Sequence, residues 1–320
     1  MKNNNRKIII DCDPGHDDVM AIITAITGEF DILGITTVAG NNTVDNVTNN
    51  ILNVLDYLNI DIPVYKGASR PLVKEPEPQP LAHGENGLGG PTFSSRNNKE
   101  KDIDALSFLK ETLEKEDKVT IVALAPLTNI ALLLNEYPNL KEKIECIALM
   151  GGSIYSGNIQ KRSEFNIYHD PEAAKIVFDS GINIVMAPLE VCYAGKIYLS
   201  EYKALANGGR VSKLVFELME FYCQYAVNRG WDSTAIFDLV PVVYLMHPEY
   251  FKGKYMDVSI ELNGEYCRGM TICDENKNSK TLVLEDCDRD NFIKELFKAI
   301  EILDNKYEQG ESLWKLVYIT

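Results

Sequence analysis

The sequence is short of positive charge and lacks every cysteine pattern that marks a metal or disulfide framework. Lys and Arg number 32 against 47 Asp and Glu, a formal net charge of −15 over 320 residues. So few cations cannot supply the phosphate contacts on which general nucleic-acid binding rests, nor a polybasic membrane anchor. A neutral or cationic ligand suits such a chain better than an anionic one. The seven cysteines, at 12, 146, 192, 223, 267, 273 and 287, include no CxxC pair and no zinc-ligand spacing. An odd number scattered through apolar runs reads as free thiols in a reducing compartment, so the expected location is the cytoplasm. The basic segment at 2–7 leads into an apolar run that stops at Ile10, too short for a signal-peptide core, and no later run reaches membrane-spanning length. No internal repeat and no clean linker divides the chain, so one domain over 1–320 is expected.

What is present is an α/β rhythm. Short apolar runs at 7–11 (KIIID), 30–39, 62–65, 119–124, 144–150 and 182–188 read as strands. Amphipathic stretches at 17–27, 43–58, 102–115, 128–136 and 171–179 read as the helices between them. Thr43 is a natural N-cap, and Asp170-Pro171-Glu172 combines an N-cap residue, proline at the first helical position and an early acid. Parallel strands joined by helices predict a single-domain, open, mostly parallel Rossmann-like sheet flanked by helices. Residues 258–285 read as antiparallel strands near the C-terminus, and a final amphipathic helix begins at about 290. The Pro- and Gly-rich stretch 74–100 has no period and is long for a connection, which predicts a mobile lid or binding loop.

The octet DCDPGHDD places Asp11, Asp13, Asp17 and Asp18 directly after the first strand. Ligands of open α/β sheets bind at the carboxyl ends of strands, so this cluster lies where a site is expected. Four carboxylates so close repel one another, and no Lys or Arg follows Lys7 until Lys66. A bound cation resolves the repulsion, and oxygen-only ligands select a hard ion, Ca²⁺ or Mg²⁺. The bland alternative is a solvated acidic turn in which Asp17 and Asp18 favour the positive end of the next helix.

The flanked octet IIIDCDPGHDDVMAI resembles the nucleoside hydrolase family, the inosine–uridine-preferring N-ribohydrolases. ITTVAGN at 35–41, HGENG at 83–87, LTN at 127–129, ALMGGSIYSGN at 148–158, EFNIYHDPEAA at 164–174 and RGMTICD at 268–274 continue the likeness in order. The resemblance implies Ca²⁺-dependent hydrolysis of a ribonucleoside to ribose and free base. It implies Ca²⁺ ligation by Asp13, Asp18, Asp238 and the Leu124 carbonyl, with Asp13 also taking the proton from the attacking water. It further implies ribose contacts from Asp17, Asn41, Met150, Asn158, Glu164 and Asn166, a substrate contact from His83, and a homodimer or homotetramer. His16 is expected beside the ligand shell rather than in it.

One position departs from the family pattern. Many members carry His immediately before the last ligand Asp, where this chain has Phe237, which cannot donate a proton. A ring there can stack on a purine, so a lean towards purine ribosides is expected, with Phe237 in the base site. Two other readings compete. A ribonucleoside sensor would have lost turnover with the histidine. A Mg²⁺-dependent phosphatase resembling the haloacid dehalogenases would share the DxD after the first strand, but it needs a small Thr or Val where Pro14-Gly15 stands.

Overall fold

The computed structural model describes residues 5–94 and 96–309. Residues 2–4 of the basic segment and residue 95 of the loop 74–100 lie outside them. Nine strands form one sheet: β1 Arg6–Cys12, β2 Phe30–Thr37, β3 Val64–Lys66, β4 Val119–Ala123, β5 Ile144–Met150, β6 Ile184–Ala187, then, past the short ribbon β7 Ile197–Tyr198 and β8 Ser233–Thr234, β9 Phe251–Ile260, β10 Thr271–Glu275 and β11 Thr281–Cys287. The order across the sheet is β10-β9-β11-β6-β5-β4-β1-β2-β3. All pairings from β3 to β11 are parallel, and β9 joins β11 and β10 antiparallel. Among the described residues no helix is long and apolar enough to cross a membrane.

Alternation along β1 builds the two layers. Ile8, Ile10 and Cys12 pack into one core with the helices His16–Thr27, Val44–Tyr57 and Arg289–Glu308, while Ile9 packs on the opposite face with the helices Ala105–Lys115 and Thr128–Glu136. Successive strand side chains point to opposite faces. Each fully buried Ile contributes roughly 1.5–3 kcal/mol, which ties β1 to the centre of the sheet. The order reverses at β1, which has β2 on one side and β4 on the other. A crevice opens at such a reversal, outside the carboxyl ends of the strands.

The expected capping residues act as read. Thr43 accepts from the Asn46 N–H at 3.3 Å, and Asp170 from the Ala173 N–H at 3.1 Å. Asp170 also accepts from the Leu72 N–H at 2.9 Å and the Thr128 hydroxyl at 2.7 Å, which fixes the root of the long loop to two helices. The antiparallel segment differs from expectation at its start. β9 begins at Phe251 and alternates exposed with buried residues only in its second half, so its first residues resemble surface loop in sequence. All seven cysteines are free.

Candidate active site

The carboxyl ends of β1, β2, β4 and β5 bring the acidic loop together with Asn41, Leu124 and Met150. Asp13, Asp17, Asp18 and Asp238 are all buried. Oxygens of Asp17, Asp18 and Asp238 lie within 4.8 Å of one another. Asp18 accepts from the Asp13 N–H at 3.3 Å and the Gly15 N–H at 2.9 Å, so it closes the loop as well as facing the cluster. Asp13 accepts from the Asn41 N–H at 2.6 Å through Oδ2, while its Oδ1 has no partner among the described residues. Gly40 makes that approach possible, because a Cβ there would stand 2.0 Å from Asp13 Oδ2. Asp238 occupies the N-cap position of the helix Leu239–Met246, yet its side chain makes no cap bond to that helix.

Burial drives the electrostatics. It pushes Asp17 up to about 6. With the added charge of Asp17 it pushes Asp18 to about 7. Asp13 rises well above the ordinary range through burial and then the charge of Asp18, and Asp238 through burial and then Asp17 and Asp18. Among the described residues none of the four has a cationic ion-pair partner. Buried carboxylates without a counter-charge cost too much to persist ionised. The orphaned oxygens of Asp13 and Asp17 and an all-oxygen donor set fit a hard divalent cation.

Asp11, fourth acid of the octet, is separated from the other three. Strand parity turns it towards the face of Ile9, where it accepts from the Thr36 hydroxyl at 2.5 Å and the Asn129 amide at 2.7 Å. Asn129 also donates to the Thr37 carbonyl at 3.0 Å and accepts from the Ala68 N–H at 2.9 Å. One amide thus ties together the ends of β1 and β2 and the turn after β3.

The remaining expected residues divide. Glu164 caps the helix Phe165–His169, accepting from the N–H groups of Gly152, Asn166 and Ile167 at 2.9, 2.8 and 3.1 Å. Burial raises its carboxyl to about 7 against those bonds. Asn166 donates to the Leu124 carbonyl at 3.1 Å and to Met150 at its carbonyl (3.2 Å) and sulfur (3.4 Å). The structure therefore joins Leu124, Met150, Glu164 and Asn166 in one patch. Asn158 is exposed, with its Oδ1 occupied by the Phe165 N–H at 2.9 Å. Phe237 is half-buried against the main core and meets Tyr193 edge-on at 5.7 Å.

His83 is buried in the long loop. Several residues that hold this loop escaped the sequence reading. Asn50 donates to the Pro14 carbonyl at 3.1 Å and the Asn86 carbonyl at 3.0 Å, and Asn42 to the Glu85 carbonyl at 3.2 Å. A signal existed for Asn50, since it lies on the apolar stripe of its helix with positions 47, 51 and 54. The Tyr222 hydroxyl lies 3.4 Å from Asp17 Oδ2 and 3.1 Å from the Ala235 carbonyl.

The mostly parallel sheet thus carries, at its switch point, a cluster of buried carboxylates with no cationic partner among the described residues. The model of the inosine–uridine preferring nucleoside hydrolase family matches residues 8–294, and the chain belongs to that family. It is 40% identical over 297 residues to the pyrimidine-specific ribonucleoside hydrolase RihA of Shigella boydii, covering 89% of this chain and 95% of the relative. RihA proteins of Escherichia coli match to the same extent. A purine-preferring ribonucleoside hydrolase from Gardnerella vaginalis superposes with a TM-score of 0.87 at 29% identity, over 93% of this chain and 99% of that one. A plant nucleoside hydrolase, PpNRh1, gives 0.87 at 28% identity over 92% and 99%. The chain is accordingly an enzyme that cleaves the N-glycosidic bond of ribonucleosides, which displaces the sensor and phosphatase readings.

Proposed function

We propose that this enzyme is Ca²⁺-dependent and acts preferentially on pyrimidine ribonucleosides. The observation that supports the cation is the set of buried carboxylates with orphaned oxygens and no cationic partner among the described residues. Asp13, Asp18 and Asp238, with the Leu124 carbonyl, would hold it, and Asp17 lies close enough to share in the cluster. When bound, the ion supplies a hard positive charge that gathers a vicinal diol and makes a nearby water more acidic.

The chain's own residues account for the rest. Asp13 is clamped through Oδ2 by Asn41, which leaves Oδ1 to take a proton from the attacking water. The water oxygen bonds to the anomeric carbon as the bond to the base nitrogen breaks, and that electron pair leaves with the base, which takes up a proton. Asp17, Glu164 and Asn166 accept and donate to the ribose hydroxyls. Glu164 is rigid, because three backbone N–H groups hold it, so its negative charge stands ready for the cationic character that develops on the sugar. A phosphate would meet this same acidic wall, which favours nucleosides over nucleotides.

The pyrimidine preference rests on relatives that are 40% identical over most of both chains. It replaces the purine lean expected from Phe237. That ring is packed on the core and against Tyr193, and such packing gives no particular support to a stacking platform. The loop 74–100 serves as the lid over the substrate, and the functional unit is a homodimer or homotetramer in the cytoplasm.

A panel of uridine, cytidine, inosine, adenosine and guanosine, assayed for ribose release, tests this reading. The expected result is a kcat/KM at least about tenfold higher for the pyrimidines, abolished by a chelator and restored by Ca²⁺. Inosine as the best substrate would return Phe237 to the base site. Turnover indifferent to chelation would remove the cation.

A further inference from the structure

His16 has no part in that chemistry, yet it lies fully buried one residue before Asp17, at 0% exposure. Its Nε2 is 2.8 Å from the Gly89 carbonyl, and its Nδ1 is 3.3 Å from Nδ1 of His83. A carbonyl only accepts, so Nε2 of His16 carries the proton and Nδ1 of the neutral ring is a lone pair. His83 must then donate from its own Nδ1, which leaves Nε2 of His83 as an acceptor. The tautomers of both rings follow from that one carbonyl.

The surroundings fit the same purpose. Phe221 lies parallel to the His16 ring, with centroids 5.2 Å apart and 2° between planes, and Tyr222 stacks at 5.6 Å. Gly15 leaves room for the His83 ring, since a Cβ there would stand 2.5 Å from His83 Nδ1. The 83–89 stretch therefore rests on the acidic loop itself, with Asn42 and Asn50 holding Glu85 and Asn86 beside it.

We propose that His16 is a positioning residue: one imidazole hooks the 83–89 stretch onto the acidic loop and sets His83 in a single tautomer beside Tyr222. This rests on the reading of the acidic cluster as the ribonucleoside site. His16 acts through the loop and through His83, not on the reacting atoms. A substitution that keeps the ring and removes both hydrogen bonds should loosen the loop and leave the carboxylate cage in place.

The test compares His16→Phe and His16→Gln with wild type by amide hydrogen exchange and by steady-state kinetics on uridine. His16→Phe should speed exchange across 83–89 about tenfold and lower kcat/KM by about 10–100-fold, the size of two hydrogen bonds lost. His16→Gln offers an amide N–H to Gly89 and should recover most of both. If the phenylalanine variant does not fold, His16→Asn gives the same reading. It keeps an acceptor near Nδ1 and loses the Gly89 bond, so exchange should rise at 88–90. Exchange across 83–89 unchanged in these variants, with kcat/KM within about twofold of wild type, overturns the proposal. So does faster exchange spread along the whole helix His16–Thr27 without rescue by glutamine, the mark of a merely structural histidine. A wild type that releases no ribose overturns the functional reading instead, and the exchange comparison still decides the hook.

Discussion

Of the places where this protein buries carboxylates, two do so in opposite ways. Asp304, on the C-terminal helix Arg289–Glu308, accepts from the Val211 N–H at 2.6 Å and from the Ser212 N–H and hydroxyl at 3.2 and 2.6 Å. It supplies in trans the acceptor that the N-terminus of the helix Arg210–Tyr222 lacks, because the N-cap there is Gly209. At the acidic cluster, Asp13, Asp17, Asp18 and Asp238 share few donors and have no cationic partner among the described residues, where one oxygen each of Asp13 and Asp17 is left without a hydrogen bond. Burial is common to both. The shortage of donors is what separates a site from a structural pin.

Removing the carboxylate with the catalytic assignment should sharpen that contrast most. Asp13→Asn is expected to lower kcat by at least about 10²–10⁴-fold, while the thermal midpoint stays at or above that of wild type in chelator. Near-normal turnover would mean that another group activates the water. Asp304→Ala should do the reverse, costing about 2–3 kcal/mol in denaturant unfolding with kcat preserved below the transition, since it strands buried N–H groups. Loss of turnover with unchanged stability would blur the distinction between the two regions.

The third effect is a pH dependence that arises from the carboxylates of the candidate site. Asp17 at about 6 and Asp18 and Glu164 at about 7 are raised above ordinary carboxylates, so the native state binds more protons than the unfolded chain between about pH 4 and 7. Stability in chelator should therefore fall as pH rises through that window and level off above it. Ca²⁺ should restore stability, by more at pH 7.5 than at pH 5, because ligation displaces those protons. Thermal scans across pH with and without the ion measure it, and a chelated protein that gains stability with rising pH would reverse the sign. The smallest change is expected at Phe237. Phe237→Ala should alter the ratio of uridine to inosine kcat/KM by less than about threefold, whereas a collapse confined to inosine would make the ring a purine platform.

Much of this was legible in the chain itself. The buried run before the octet, the caps at Thr43 and Asp170 and the alternation of strands and helices are local signals, and they determine the layers and the location of the crevice. Local signals also gave Asp13, Asp17 and Asp18 as neighbours. What they could not give was which acid leaves the group. Asp11 parts from Asp13 because β1 ends at Cys12, between them, and because Asn129, far away in sequence, holds Asp11. Between 189 and 246 most helices are short and give little period to read, but Arg210–Tyr222 carries an apolar stripe at Val211, Leu214, Val215, Leu218 and Met219, a helical signal that was present in the sequence. The docking of His83 depends on Asn42 and Asn50, whose amides are unremarkable until the loop lies across them.

The sheet order has a consequence for how the protein is made. Asp13 leaves the ribosome early, while Asp238 and the strand β11, which stands between β6 and β9, come from the last third of the chain. At ~5–20 residues per second, roughly 10–45 s of synthesis separate the first acid of the cluster from the last. During that interval the N-terminal strands can pair, but the acids have not yet been brought together and little repulsion has to be overcome. A cation held by these acids would meet its full set of ligands only when the polypeptide is nearly finished, which would make capture of the ion a late step of maturation, able to favour chains that have folded to the end.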